Sequence, residues 1–452
     1  MRIHLEMRMS LNEISLAIEG KIKSSNRGAI IEYITTDSRE MQNGDLYFPF
    51  SGNKYDGENY CYEAKSKGGY FISSKHKDAD ITVINVCDAF LKLASYYKRM
   101  LPNLKKTVAI TGSVGKTTTK EILKVLTSNK YRTYATVGNM NNAIGMSATV
   151  LSAPVNTELM ILEIGMNHSG EIKTLSESCM PDIGAITKIG TAHVGNLGSV
   201  EAIARAKAEI TFGLSGGPTV IPYKEKLLES ISPKVTFSAE STKADFYIIN
   251  TNRELEIKIK NRIFKNISFI SKQKRDLECL GCAIAAASLA EIDCQEIKRR
   301  VSLISRDILR QSLIKCNKIF ILDDSYNASL ESVISGINEL KDCAEYSRRS
   351  AVLGQIFELG KMSPYIHYRI GAYAVRAGIL PLYLFGPDTK YTKQGALDNG
   401  APESMIHYNA DLNRPDITAS QISSNSIPNE IILLKGSHLA NLGRIKNILM
   451  GE

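Results

Sequence analysis

The stretch VAITGSVGKTTTKEIL, Val108 to Leu123, is compatible with few folds. An apolar run stops at a glycine turn, a lysine and three threonines follow, and a helical pattern begins. A buried strand feeding a glycine turn and then a helix cradles phosphate, because backbone N–H groups and the positive helix end converge on one anion. Gly112 and Gly115 let the backbone turn inward, with Ser113 and Val114 between them. Lys116 is placed to reach β- and γ-phosphates, Thr117 to offer a hydroxyl to Mg2+, and Thr118 continues the same binding segment. A full-length phosphate loop would have a glycine at Ile110, so this is a shortened form with GxxGK[ST] at its core.

The chain has 452 residues, too many for one ordinary core. The first hundred alternate short β-rich runs (AIIEYITT, GDLYFPF, GGYFISS, ADITVINV) with amphipathic stretches, which predicts a small α/β domain. MLPNLKK, Met100 to Lys106, reads as a linker broken by Pro102. Beyond it, KTVAITG, ELMILEIG and IGAITKIG read as buried strands between helices, the pattern of a mostly parallel sheet. TKADFYIINTNRELEIKIKNRIFKNISFIS alternates at period two and reads as an antiparallel segment ending that unit. A third unit starts near Ile308, with KIFILDDSYNAS, SAVLGQIFELG, LPLYLFGP and EIILLKGS as strands running into loops. The expected class is α/β in three domains: 1–102, 103–307 and 308–452.

A net charge of +9 suits polyanionic small molecules. The basic residues are dispersed, without a basic tail or an aromatic RNA-binding segment, which argues against nucleic acid. The longest uncharged apolar runs, such as LGCAIAAASLA, are too short to span a bilayer, and the first residues lack an apolar signal core. A cytoplasmic protein is expected. The eight cysteines are scattered; CLGC at Cys279 and Cys282 has metal-ligand spacing but no second pair, and reads as a buried thiol pair.

Sites in parallel sheets form at the carboxyl ends of strands. There, LEIGMNHSGEI leaves Glu163 at a strand end with His168 and Glu171 in the following loop, and KIGTAHVGNLGS leaves His193 at the next. ARAKAEI places Lys207 inside a helix. Alone, His193 reads as a loop-packing histidine and Lys207 as a solvated helix residue. Beside a phosphate loop, Glu163 and His193 read as facing Mg2+ in a site shared with phosphate oxygens.

These blocks, in this order, resemble the Mur ligase family over essentially the whole chain. They are most similar to the member that adds D-alanyl-D-alanine to a UDP-linked muramyl tripeptide. The carrying segments are TTDSREMQNGDLYFPFSGNKYDGENY, ITGSVGKTTTKE, NMNNAIG (Asn139 to Gly145), EIGMNHSGEI, AHVGNLGSVEAIARAKAEI and DDSYNAS. The resemblance implies a UDP-binding first domain, a central ATPase domain and a Rossmann-like third domain that closes on ATP. It implies that ATP phosphorylates a substrate carboxylate, and that the acyl phosphate is attacked by an amine. Lys116, Glu163, His193, Lys207, Asn142 and Arg310 are implied as catalytic. Thr117 and Glu163 would hold one Mg2+ and His193 a second, with Lys207 carbamylated by CO2 to give an anionic oxygen ligand. Asp324 would hold ribose and Asn327 approach adenine. Ser38, Arg39, Gly52, Asp56, Gly57, Asn141 and Lys435 would contact the substrate. A monomer acting on small molecules is the family precedent.

Several positions depart from the family pattern. In LECLGCAIAAAS, Cys282 stands where an Asn normally helps hold adenine; Gln355 replaces Asp, His438 replaces Arg and Ser51 replaces Lys. These changes leave three alternatives: nucleotide or substrate preference differs, the same chemistry serves another carboxylate (a different cell-wall peptide or a tetrapyrrole side chain), or a paralogue binds without turnover. A regulatory GTPase would require an NKxD-type base-reading motif after a strand, which the sequence lacks.

Overall fold

In a computed structural model, residues 1–52, 55–251, 254–309 and 312–451 are described. Three sheets carry them. The central nine-stranded sheet runs, from edge to edge, Arg262–Ile267, Glu254–Ile259, Phe246–Thr251, Lys234–Ser238, Thr219–Pro222, Ile183–Ile186, Lys106–Thr111, Leu159–Glu163 and Thr133–Ala135. The seven strands from Phe246–Thr251 onward are parallel, and the last two sequence strands add antiparallel, as the period-two pattern predicts.

The strands at its centre are apolar throughout because both faces are covered. Alternation sorts their side chains: Val108, Ile110, Leu159 and Ile161 enter one core, while Ala109, Met160 and Leu162 enter the other. The first core is closed by the helices Lys116–Thr127 and Lys274–Leu289 through Ile122, Leu126, Leu280 and Ala283. Glycine and alanine from Gly281 to Ala287 let the second helix lie close to the sheet, where Gly281 faces Phe237.

The amino-terminal sheet has six strands, in the order Arg2–Ser10, Ile30–Thr35, Leu46–Tyr47, Tyr70–Ser73, Ile81–Thr82 and Lys21–Ile22. Its first strand is a nine-residue alternating segment, RIHLEMRMS, that the sequence alone did not show as a strand. The third sheet also has six, in the order Ser312–Cys316, Ile319–Asp323, Glu430–Lys435, Arg348–Gly354, Leu382–Phe385 and Ile406–Asn409, parallel except for the first. Among the described residues no helix is long and apolar enough to cross a membrane.

Candidate active site

The central sheet reverses its strand order at Lys106–Thr111, whose neighbours are Ile183–Ile186 and Leu159–Glu163. A crevice opens at such a switch point, and the phosphate loop leaves from that strand. Gly115 sits at φ +88°, a left-handed conformation that glycine adopts without a Cβ clash, immediately before the helix Lys116–Thr127. A Cβ on Gly112 would stand 1.9 Å from Thr187 Oγ1, so the cradle has room only for glycine there. The loop is braced by Thr187 Oγ1, which donates to Val114 O at 2.6 Å, and by the Gly190 N–H, which donates to Ser113 Oγ at 3.0 Å.

The loop borders a cavity of about 420 Å³ into which Ser113 to Thr118 all face. Lys116 Nζ donates to Gly112 O at 2.8 Å, so its stem folds over the cradle. Thr117 Oγ1 donates to Glu163 Oε2 at 2.6 Å, and Asn141 Nδ2 donates to Glu163 Oε1 at 2.9 Å. The Glu163 carboxylate is thus aimed from its strand end at the loop threonine. Asn142 caps the helix Ala143–Leu151, accepting the Gly145 N–H at 2.8 Å, and lines the same cavity. Glu171, expected in a loop, begins the helix Glu171–Cys179 and accepts the Asn167 N–H at 2.6 Å.

His193 lines the cavity from a left-handed backbone at φ +66°. Its Nδ1 is 2.6 Å from Glu358 Oε2 of the third sheet's unit, a close contact without good hydrogen-bond alignment that is an ion pair only when the ring is protonated. Burial lowers its pKa; Glu358 opposes that shift, and the Lys207 and Lys116 cations add to it. Lys207 does not line the cavity. It is buried in the helix Val200–Ala208, and among the described residues no carboxylate pairs with it. Burial, then the nearby Lys116 charge, holds its amine well below the usual lysine range.

The far wall comes from the third sheet. Asp323 and Leu434 pair across adjacent strands, so Asp324 and Lys435 emerge side by side at two strand ends. Lys435 Nζ is 2.9 Å from Asp324 Oδ2 and donates to Asp324 O and Asn327 O at 3.1 and 2.7 Å. Its ammonium holds the DDSYN turn in place, and the residue also lines the cavity. Asn327 is exposed at the cavity rim, where its Oδ1 accepts the Ala328 N–H.

Arg275 escaped the sequence reading. It lines the cavity, and its NH1 lies 3.1 Å from Asp324 Oδ2, joining the central unit to the third. Burial opposes its charge, but Asp324 and Asp276 outweigh that and raise its pKa. Its only sequence signal was its place in the charged first turn, KRDLE, of a helix that is apolar beyond it.

Cys282 also differs from expectation. It is fully buried in the core beneath the helix and touches no part of the cavity. The thiol that meets the phosphate loop is Cys279, with Sγ 3.7 Å from Gly115 O. Burial pushes the Cys279 pKa up to about 12 and that of Cys282 well above normal, so both are neutral packing groups.

Of the residues expected to contact the substrate, Asn141 and Lys435 line this cavity, whereas Ser38, Arg39, Gly52, Asp56 and Gly57 lie in the first unit and do not. Ser38 Oγ donates to Glu63 Oε2 at 3.0 Å, and the exposed Arg39 pairs with Asp37 at 2.6 Å. Asp56 accepts from Ser51 Oγ at 2.5 Å and pairs with Lys75. Gly52 is exposed beside them, and Gly57 packs against the Phe50 backbone. Arg310 lies outside the described residues.

Fold and site together define a phosphate-loop enzyme whose nucleotide cavity is walled by a second α/β unit. Residues 110–274 match the Mur ligase middle domain family. The chain is 31% identical to the UDP-N-acetylmuramoyl-tripeptide–D-alanyl-D-alanine ligase of Rickettsia prowazekii, over 97% of this chain and 99% of that protein. It belongs to the Mur ligase family, and it is an ATP-dependent ligase. The equally named ligase of Bacillus subtilis is 29% identical over 97% of this chain and 98% of its own. MurF from Acinetobacter baumannii has the same fold, with a TM-score of 0.87 at 22% identity over 100% of both chains. So does MurF ligase from Thermotoga maritima in complex with ADP, with a TM-score of 0.77 at 23% identity over 93% of this chain and 97% of that one.

Proposed function

We propose that the chain joins D-alanyl-D-alanine to the free carboxylate of a UDP-linked muramyl tripeptide, using ATP and passing through an acyl phosphate. The observation that carries this reading is the convergence of Lys116, Thr117, Glu163, His193 and Asp324 from two units on one cavity. Full-length similarity to ligases of that name supports the choice of substrates. The division at 102/103 and 307/308 is supported by the three separate sheets.

The donor set fits Mg2+. Thr117 and Glu163 offer hard oxygens beside a cradle that only glycine fits, and Asn141 fixes the carboxylate's direction. Mg2+ there would neutralise phosphate charge and act as a Lewis acid. The remaining work falls to the chain. Lys116 and the loop N–H groups hold the phosphates, and Asp324, oriented by Arg275 and Lys435, receives the ribose. The substrate carboxylate attacks the γ-phosphorus and ADP departs. The neutral dipeptide amine then attacks the acyl carbon, its proton passes to solvent, and phosphate leaves with the C–O electron pair.

Lys207 fits carbamylation. A lysine amine attacks CO2 only when neutral, and burial keeps this one neutral more readily than an exposed lysine. The product is a carbamate anion with release of one proton. A carbamate there would be the oxygen ligand that the resemblance implies beside His193.

Phosphate release should require ATP, the UDP-linked tripeptide and D-alanyl-D-alanine together. Release that is unchanged when the dipeptide is omitted would overturn this assignment.

A further inference from the structure

The loop 189–195, which follows the strand Ile183–Ile186, meets three things at once. At one end the Gly190 N–H binds Ser113 of the phosphate loop. Along its length the third unit presses on it. Glu331, in the first turn of the helix Leu330–Asp342, accepts from the Thr191 N–H and from Thr191 Oγ1, both at 3.0 Å. The Gly195 N–H donates to Glu358 O at 2.9 Å, and the Glu358 carboxylate lies 2.6 Å from His193 Nδ1.

The fit leaves no slack. A Cβ on Gly190 would stand 2.8 Å from the Glu331 carboxyl carbon, and one on Gly195 would stand 2.5 Å from both Glu358 O and Gly360 N. His193 and Glu358 both hold left-handed backbones, at φ +66° and +62°, so the two segments face each other in conformations that side-chain-bearing residues rarely adopt.

We propose that the loop 189–195 is the seat through which docking of the third unit orients His193, with Glu358 as a positioning residue acting through that ring. Glu358 occupies the Nδ1 side and leaves Nε2 as the nitrogen available to a metal. Carboxylates behind ligating histidines fix ring orientation and raise ligand basicity. Here the carboxylate comes from a different unit, so His193 is set correctly only when that unit is seated. The inference rests on the assignment of His193 to a metal made above.

The test uses the full chain with Mn2+ and β,γ-imido-ATP. Mn2+ binding is read by the loss of the free-ion paramagnetic signal, and the separation of the units by small-angle scattering. Glu358→Ala should weaken Mn2+ binding by about 10- to 100-fold and lower kcat, with KM for the UDP-linked substrate unchanged. Glu358→Gln, which keeps an acceptor oxygen and the side-chain volume, should recover much of the loss. Gly195→Ala should unseat the third unit, enlarge the radius of gyration and weaken Mn2+ binding alike. Wild-type Mn2+ affinity in Glu358→Ala, or a wild-type scattering profile in Gly195→Ala, overturns the proposal while leaving the ligase assignment standing. Unchanged Mn2+ binding in His193→Ala removes the metal assignment, and this proposal with it. Phosphate release independent of the dipeptide would instead count against the ligase assignment alone.

Discussion

Thr117 and Glu163 meet across 2.6 Å, hydroxyl to carboxylate, from the first turn of the helix Lys116–Thr127 and the end of the strand Leu159–Glu163, far apart in sequence. The second Glu163 oxygen is held by Asn141. Two hard oxygens fixed beside a phosphate cradle are an arrangement that only a charged ligand rewards. Glu163→Ala should therefore lower kcat by about 100- to 1,000-fold, the scale of losing one preorganised electrostatic contact. Asn141→Ala should cost less, about 10-fold or more, because it acts through Glu163. Phosphate release at saturating substrates measures both, and equal losses in the two variants would contradict this order.

Lys207 gives a stability prediction that is independent of turnover. Burial and Lys116 depress its folded pKa below the ordinary 10.5. The unfolded chain then binds the proton more tightly than the folded one, so stability rises with pH between the depressed value and 10.5. Without CO2, Lys207→Met should be more stable than the parent at neutral pH, and the difference should shrink as pH approaches 10.5. Denaturant melts in degassed buffer check this. Under 13C-bicarbonate the parent should show a carbamate carbon that the variant lacks, and short carboxylates should partly restore activity to Lys207→Ala, whose truncated side chain leaves them room.

His367 lies outside the cavity lining and is buried in the third unit. Its Nε2 accepts the Ile356 N–H at 3.3 Å, and its Nδ1 is 3.2 Å from Thr392 Oγ1. Burial lowers its pKa from 6.5 to about 4, with Asp388 opposing the shift. The unfolded state binds the proton first, so stability falls as pH drops from 6.5 toward 4 and is constant below. The loss is about 3 kcal/mol, from 1.36 kcal/mol per unit. Urea melts at pH 7 and pH 4.5 should show this difference in the parent and much less of it in His367→Gln.

Much of the fold was legible because strand and helix periods are local. The buried runs before Gly112, Glu163 and Gly190 needed no tertiary information, since a strand covered on both faces is apolar throughout. The first strand, Arg2–Ser10, was missed because its outward faces carry Arg, Glu and Arg, so it resembles any mixed-charge terminus until its Ile3, Leu5 and Met9 are seen buried. The phosphate-loop residues and Glu163 were legible as a motif and a strand end. Arg275 was not, because its meaning lies in Asp324, a partner on another sheet. Nor could sequence order tell which of two cysteines, three positions apart on one helix, packs against the phosphate loop, because that depends on the helix's rotation against the sheet.

That rotation makes the last prediction. Cys282 is enclosed by core side chains, whereas Cys279 is the thiol against the phosphate loop. If position 282 held the base, Cys282→Asn would restore a missing hydrogen bond and lower KM for ATP. The structure predicts the opposite. An amide placed there meets no partner among the described residues and leaves two polar groups buried. The cost should be about 1–3 kcal/mol of stability per unsatisfied group, with no gain in ATP affinity. Cys279→Asn puts the amide beside Gly115 O, where its N–H2 has an acceptor. It should be the better tolerated of the two and the one that changes KM for ATP. Thermal melts with and without ATP, together with KM for ATP and GTP, distinguish the two rotations. A stable Cys282→Asn with lowered KM for ATP would mean that the helix presents the other face.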